Sequence, residues 1–188
     1  MLPQFNASGV LPPFAGFDSS ERSQSSPYEV SMTELVDRFG HSHERRALLR
    51  HLLSYRQALR AAGIVTGFQL LDGSFTEDCE RLRQRPPNDV DLVTFSHTPV
   101  PPRELRAFAA AHGTLFDMDR VKEVYKCDSY FVDLSKDARY IVEDTMYFYG
   151  LFSHQRSTFM WKGLVKVPMR SDDDEALALL NAREADHA

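Results

Sequence analysis

The feature that most constrains the fold is a pair of short segments of strand length that are bounded by glycine and proline. Residues 64–71 form a mostly apolar run that leads into a turn at Gly73 and Ser74. After a polar segment and the breaker at residues 86–87, which are both proline, residues 88–95 form a second run of strand length, in which side chains alternate between two faces. Apolar runs of this length, bounded by glycine and proline, are typical of β-strands. The sequence therefore predicts two strands, the first of which ends in a Gly-Ser turn.

Alternation along the second strand places two carboxylates, those of Asp89 and Asp91, on one face, because successive side chains of a strand point to opposite sides. Carboxylate oxygens suit Mg²⁺, and two ions about 3.5–4 Å apart can share such a pair. A third acid on a neighbouring strand would complete a site for metal-assisted phosphoryl transfer. Residues 124–134 predict that strand, and either Asp128 or Asp133 supplies the acid, since alternation does not choose between them.

Helical patterns surround these strands. Apolar residues at intervals of three and four predict an amphipathic helix over residues 43–62. Shorter helices are predicted over residues 32–39, after the N-cap Ser31, and over residues 103–112. No element is predicted for residues 139–158. Strands interleaved with helices predict an α/β (α+β) fold with a mixed sheet and with helices packed mainly on one face.

The predicted long helix carries a concentrated positive charge, opposed only by Glu44. Its five arginines are Arg45, Arg46, Arg50, Arg56 and Arg60. A charge run of this kind is typical of a solvated face, and a contact with phosphate or with a partner protein is the alternative.

Composition fits a single globular domain, with 43% hydrophobic and 26% charged residues in a chain of 188. The net charge of -5 argues against a broad basic DNA-binding surface. Ser171 followed by four acids predicts the capped start of a helix. We expect three regions: a flexible arm rich in Ser, Gly and Pro over residues 1–27, a domain over 28–170, and an acidic helix or tail over 171–188.

The sequence lacks the features of several classes of protein. Cys79 and Cys127 form no CxxC pair, which argues against a disulfide framework and a zinc knuckle. No apolar run approaches the roughly 20 residues that cross a bilayer, and the first cation is Arg22, so we expect no secretory signal. The expectation is a cytoplasmic protein without membrane contact. The oligomeric state is not predicted.

The order of a Gly-Ser turn, an Asp-x-Asp pair and a later isolated Asp resembles the signature of the minimal nucleotidyltransferase superfamily, which has the polymerase-beta-like fold. A stand-alone, prokaryotic, nucleotidyltransferase-like subgroup is the closer match. That likeness rests on Leu-Pro-Pro at residues 11–13, the arginine-rich helix, segments 71–75 and 87–93, and Lys-Gly at 162–163. The resemblance covers most of the chain, from about residue 11 to residue 167.

The resemblance implies metal-dependent transfer of a nucleotidyl group from a nucleoside triphosphate to a hydroxyl acceptor, which could be RNA, a protein or a small molecule. Asp89 and Asp91 would then bind two Mg²⁺ or Mn²⁺ ions. Asp128, preferred over Asp133 because it precedes an aromatic and apolar stretch, would be the third catalytic carboxylate and metal ligand.

Nucleotide binding is also implied by the resemblance. Gly73 and Ser74 would hold the phosphates, and Asn88 and Lys162 are further nucleotide-binding candidates. A lysine at a strand edge is otherwise solvated, which is the alternative for Lys162.

Two other functions remain open. Proteins with this fold can lose catalysis and act as partner-binding modules, for instance as half of a toxin-antitoxin or anti-phage pair. A small nucleotide-binding regulator is the other. A catalytic protein needs all three carboxylates in an open cleft, whereas a binding module would use the arm or the arginine face.

Overall fold

The computed structural model describes residues 2–156 and 158–185, and its centre is a five-stranded mixed sheet. The strands are β1 (Tyr28–Glu29), β2 (Phe68–Asp72), β3 (Val90–Ser96), β4 (Cys127–Asp133) and β5 (Val165–Pro168), in the spatial order β1-β5-β2-β3-β4. Strand β2 runs antiparallel to β3 and to β5, whereas β1 is parallel to β5 and β3 is parallel to β4. The predicted mixed α/β class is confirmed.

The helices agree with the predictions where apolar residues recur clearly at intervals of three and four. They are α1 (Met32–Phe39), α2 (His43–Ala61), α3 (Cys79–Arg83), α4 (Leu105–His112), α5 (Met118–Tyr125), α6 (Ala138–Phe152) and α7 (Asp173–Ala185). Helix α1 begins with a capping box, in which the Ser31 hydroxyl accepts from the Glu34 N–H and the Glu34 carboxylate accepts from the Ser31 N–H. Helix α6 occupies the segment for which no element was predicted.

No helix in the described part of the chain is long and apolar enough to span a membrane.

Two apolar clusters lie on opposite faces of the sheet. Leu71 and Leu92 belong to the larger cluster, which α1, α2 and α7 cover. Their neighbours in sequence, Leu70 and Val93, belong to the smaller cluster, which α6 covers. Alternation along the strands thus divides the core, and most helices pack on one face, as predicted.

The third strand is shorter than predicted. Residues 124 and 125 form the end of α5, and Lys126, at φ 52, ends that helix in the left-handed conformation before β4 begins. Strand β2 likewise begins at Phe68 and not at Ile64, after Gly67 at φ 85. An apolar run that continues through a backbone reversal does not reveal where the strand begins.

The first half of the predicted flexible arm is packed against the domain. Val10 and Leu11 are fully buried, and the Leu11 carbonyl accepts from the Gly163 N–H at 2.7 Å. Residues 17–23 are exposed. The polar composition of this region does not indicate a loosely held segment throughout, because a few buried apolar side chains are enough to fix its course.

The arginine-rich face of α2 is largely internal. Arg45 and Arg56 are fully buried and Arg46 is nearly so, which corrects the expectation of a solvated face. Arg56 donates to both carboxylate oxygens of Asp173, at 2.7 and 2.9 Å, and to the Gln69 side chain at 2.8 Å. Helix α2 therefore holds α7 and β2 together through one buried guanidinium.

The acidic run near the C-terminus has structural partners. Asp172 accepts from the backbone N–H groups of Met32 at 2.8 Å and Thr33 at 3.2 Å, and so caps α1. Partial burial opposes ionisation, but hydrogen bonds led by that from Thr33 keep the pKa of Asp172 well below its usual range. Helix α7 begins at Asp173 with acids in its first turn. Residues 186–188 of the predicted tail lie outside the described residues.

Replacing Arg56 with Met removes the main cation beside the buried Asp173 carboxylate. We expect the free energy of unfolding to fall by about 3 kcal/mol, the lower end for breaking a buried pair, because Arg60 still contacts the same carboxylate. Urea unfolding followed by circular dichroism measures the loss. The control is Arg50→Met on the same helix, whose pair with Glu184 is partly exposed and contributes about 0–1 kcal/mol. Equal losses in the two variants would contradict this assignment.

Candidate functional site

Four carboxylates meet where β2 ends and where β3 and β4 begin. Asp91 is the register partner of Asp128 on parallel β4 and of Asp72 on antiparallel β2. Asp89 lies directly before β3, two residues from Asp91 and therefore on the same face. All four side chains line one cavity of about 380 Å³. The structure thus brings together the three predicted carboxylates and adds Asp72, which the sequence analysis missed.

Asp133, the alternative third acid, lies at the far end of β4. Its carboxylate accepts from the Thr98 hydroxyl at 2.6 Å and from the Ser135 N–H at 2.8 Å. It does not line the cavity of the other acids, whereas Asp128 does. Strand register therefore separates two residues that alternation along the sequence left equivalent.

The turn after β2 needs a glycine for two reasons. Gly73 has φ +76, a conformation that side chains with a Cβ rarely adopt, and it leads into a single 3₁₀ turn, Ser74–Thr76. A Cβ at this position would lie 1.7 Å from Asp91 Oδ2. The Gly-Ser turn is therefore in close contact with the carboxylate, so the two predicted parts of the site are adjacent.

A buried arginine of α2 holds the chain that follows this turn. The Arg45 guanidinium donates to the carbonyl oxygens of Phe75 and Glu77, each at 2.7 Å, and to the Glu80 carboxylate at 2.6 and 2.9 Å. Burial would raise the pKa of Glu80, but these hydrogen bonds lower it to about 2. Arg45 thus supports the turn from within the core.

Lys162, a predicted nucleotide contact, is buried beneath the turn. Its Nζ donates to Glu77 Oε1 at 2.8 Å and lies 2.9 Å from Asp72 Oδ1, an ion pair without hydrogen-bond geometry. Burial raises the pKa of Asp72 to about 7, although Lys162 opposes the shift. Because both neighbours are acids, Lys162 has a structural role at the site, and its contact with phosphate stays a prediction. Asn88 is exposed and is not part of the cavity wall.

Lys122 of α5 lies between two of the acids. Its Nζ is 3.0 Å from Asp89 Oδ2 and 3.0 Å from Asp128 Oδ2. The contacts with Asp89 and Asp128 raise the pKa of Lys122, so the group is charged at neutral pH. No motif includes this residue, and only the reversal at Lys126 brings α5 back beside the start of β4.

The charges that line the cavity are balanced among the described residues. The acids are Asp72, Glu77, Asp89, Asp91 and Asp128, and the cations are Arg83, Arg85, Lys122, Arg156 and Lys162. Burial raises the pKa of Asp91, and repulsion from Asp89 and Asp128 adds to that shift. Arg85 and Arg156 are exposed and face the cavity without having been predicted.

The chemistry of the donors, but not their arrangement in this structure, suits a divalent cation. Carboxylates from neighbouring strand ends are the ligand type that Mg²⁺ prefers. The Lys122 ammonium already provides a positive charge between Asp89 and Asp128, which identifies that space as favourable for a cation. Within residues 2–156 and 158–185, no three His, Cys, Asp or Glu side chains are arranged to hold a metal ion. Lys122 already contacts Asp89 and Asp128, two of the acids that a metal ion would need as ligands.

Residues 3–168 match the profile of a Family of unknown function (DUF6932). Since the match covers most of the chain, the protein belongs to this family. Searches of curated proteins and of solved structures returned no match. The matched range includes the Gly73 turn and the acids of the cavity.

Replacing Gly73 with Ala tests the close approach between the turn and Asp91. We expect a loss of about 1–3 kcal/mol in the free energy of unfolding, because the positive φ and the contact with Asp91 Oδ2 both disfavour a Cβ. Thermal or urea unfolding measures it. The control is Gly150→Ala in α6, where a Cβ meets open space and a gain of about 0.5–1 kcal/mol is expected. A Gly73 variant as stable as the unmodified protein would refute the geometry of the turn.

Proposed function

We propose that this DUF6932 protein is a metal-dependent nucleotidyltransferase. It would move a nucleoside monophosphate from a nucleoside triphosphate to a hydroxyl acceptor on RNA, a protein or a small molecule. The observation that carries the proposal is the convergence of Asp89, Asp91 and Asp128 on one cavity beside the Gly73 turn. Metal-assisted phosphoryl transfer uses ligands for two ions about 3.5–4 Å apart, and Asp89 before β3, Asp91 on β3 and Asp128 on the parallel neighbour β4 would supply carboxylates for them.

The three acids would act together as the metal-binding group. Mg²⁺ or Mn²⁺ held there would lower the pKa of an attacking hydroxyl and neutralise charge on the phosphate being transferred. Asp91 supports this role because it is largely buried and lies beside two like charges, both of which raise its pKa. A cation between these carboxylates would relieve their mutual repulsion.

Phosphate binding would use the turn and the exposed cations. Backbone N–H groups at Gly73 and Ser74 are the kind of donors that bind phosphate oxygens in tight turns. Arg85 and Arg156 are exposed on the cavity wall, where their guanidinium groups would pair with the triphosphate. Lys162 and Arg45 would act indirectly, by holding the turn in place.

A second function is favoured by a different observation. On α6, the side chains of Tyr140, Val142, Met146 and Tyr147 are each more than half exposed. Val142 and Met146 lie one helical turn apart, and Tyr140 and Tyr147 lie two turns apart, so they form two exposed apolar pairs that are available for contact with a partner protein. The alternative is therefore a catalytically weak or inactive partner-binding module, such as one half of a toxin-antitoxin or anti-phage pair, in which Lys122 replaces the metal.

Transfer of label from a nucleoside triphosphate tests the proposal. The purified protein is incubated with each α-labelled nucleoside triphosphate and Mg²⁺ or Mn²⁺, with and without cell extract. Label should appear on protein, RNA or a small molecule. A variant with both Asp89→Asn and Asp91→Asn should transfer at least about 10²–10³-fold more slowly, because the charges that would hold the ions are gone.

The matched control is Asp133→Asn, which makes the same change at the far end of β4, outside the cavity. Its rate should stay within about threefold of the unmodified protein. Transfer that survives the double change would eliminate the three-carboxylate mechanism. Label on none of the acceptor classes would favour the partner-binding module.

A further inference from the structure

The space between Asp89 and Asp128 already contains a cation of the protein itself. Lys122 Nζ lies 3.0 Å from an oxygen of each acid. We propose that Lys122 is a built-in counter-cation, which a divalent metal ion must displace from between Asp89 and Asp128, so that this lysine sets the metal affinity of the site. The inference rests on the proposed function, because it concerns the metal site of that reaction.

The geometry makes the lysine and a metal ion mutually exclusive. A lysine ammonium is a compact point charge, and at equal distance from two carboxylate oxygens it occupies the position of a bridging ion. An ion bound to the same two oxygens would lie within a few ångströms of the ammonium. Like charges at that separation repel strongly, so one must leave before the other binds.

The two lysines of the cavity differ in whether they can leave. The side chain of Lys162 is 3% exposed and is held by Asp72 and Glu77. The side chain of Lys122 is 49% exposed and reaches the cavity from the solvent side of α5. Its flexible stem can turn into water without disturbing the core, because α5 is anchored by the buried Val121. Lys122 is therefore the exchangeable cation of the site.

The acids that hold Lys122 are themselves accessible to an incoming ion. The side chain of Asp89 is 22% exposed and that of Asp128 is 23% exposed. A metal ion can therefore reach their oxygens from the same open side that admits the lysine. Exchange needs a rotation of one long side chain and no movement of the strands. Lys122 acts on the ion by competition, which makes it a positioning residue and not a catalytic one.

Titration with Mn²⁺ tests this competition directly, with free Mn²⁺ followed by electron paramagnetic resonance. Lys122→Met removes the charge and keeps the approximate length of the side chain. We expect it to lower the Kd for Mn²⁺ by about tenfold, the order that one partly exposed neighbouring charge contributes. Lys122→Arg keeps the charge and should leave the Kd at or above that of the unmodified protein.

Two further variants locate the effect. Lys136→Met is the matched control, because Lys136 pairs with Asp144 at 2.7 Å and does not line this cavity; its Kd should be unchanged. Adding Asp128→Asn to Lys122→Met should abolish the gain in affinity. A second readout is thermal: Mn²⁺ should raise the Tm of Lys122→Met more than that of the unmodified protein, since no lysine competes with it.

The outcomes separate this inference from the proposed function. If the unmodified protein binds Mn²⁺ and Lys122→Met binds it no more tightly, Lys122 does not compete and the inference is overturned, while the metal site stands. If neither protein binds Mn²⁺ at millimolar concentration, the metal site itself is absent and the proposed function fails with it. A Lys136→Met variant that gains affinity equally would also overturn the inference, because the effect would then reflect net charge alone.

Discussion

The antiparallel pairing of β2 with β3 is the constraint on which the site depends. This register sets Asp72 opposite Asp91 and brings the Gly73 turn so close to Asp91 that a Cβ at residue 73 would collide with Asp91 Oδ2 as it is placed. A shift of one residue in the pairing of β3 with β2 would move the side chains of both Asp91 and Val93 to the other face of the sheet. Because Val93 and Leu92 belong to different apolar clusters, the core itself resists that shift. The hydrophobic effect therefore fixes the position of a charged group.

Buried ion pairs then hold the surroundings of the sheet in place. Arg56 links α2 to Asp173 at the start of α7, and Arg45 fixes the segment that follows the Gly73 turn. Taking a guanidinium out of water is costly unless hydrogen bonds replace those to water, and Arg45 and Arg56 each have several partners. Such groups specify a single arrangement, because few other packings of the same chain would satisfy them.

At the candidate site, acids that lie close together repel one another, and two lysines reduce that repulsion. Acids that would bind a metal ion repel one another when they are brought together, and at Asp91 this repulsion adds to burial, which is the main cause of its raised pKa. Lys122 reduces the repulsion between Asp89 and Asp128 without closing the cavity, and Lys162 does the same for Asp72 and Glu77. One lysine is accessible and the other is enclosed. The two lysines thus allow these acids to lie close together in one cavity.

Local patterns in the sequence determined the mixed α/β class and helices α1 and α2. They also determined the face shared by Asp89 and Asp91 and the need for a turn at Gly73. Each of these features depends on residues that are close together in the chain. Only the tertiary structure decided that Asp128 and not Asp133 joins them, since strand register links residues about forty apart. The same holds for the burial of the α2 arginines and for Lys122. Their partners lie on other elements. The position of a charged residue in the sequence does not show whether the fold places an opposite charge beside it.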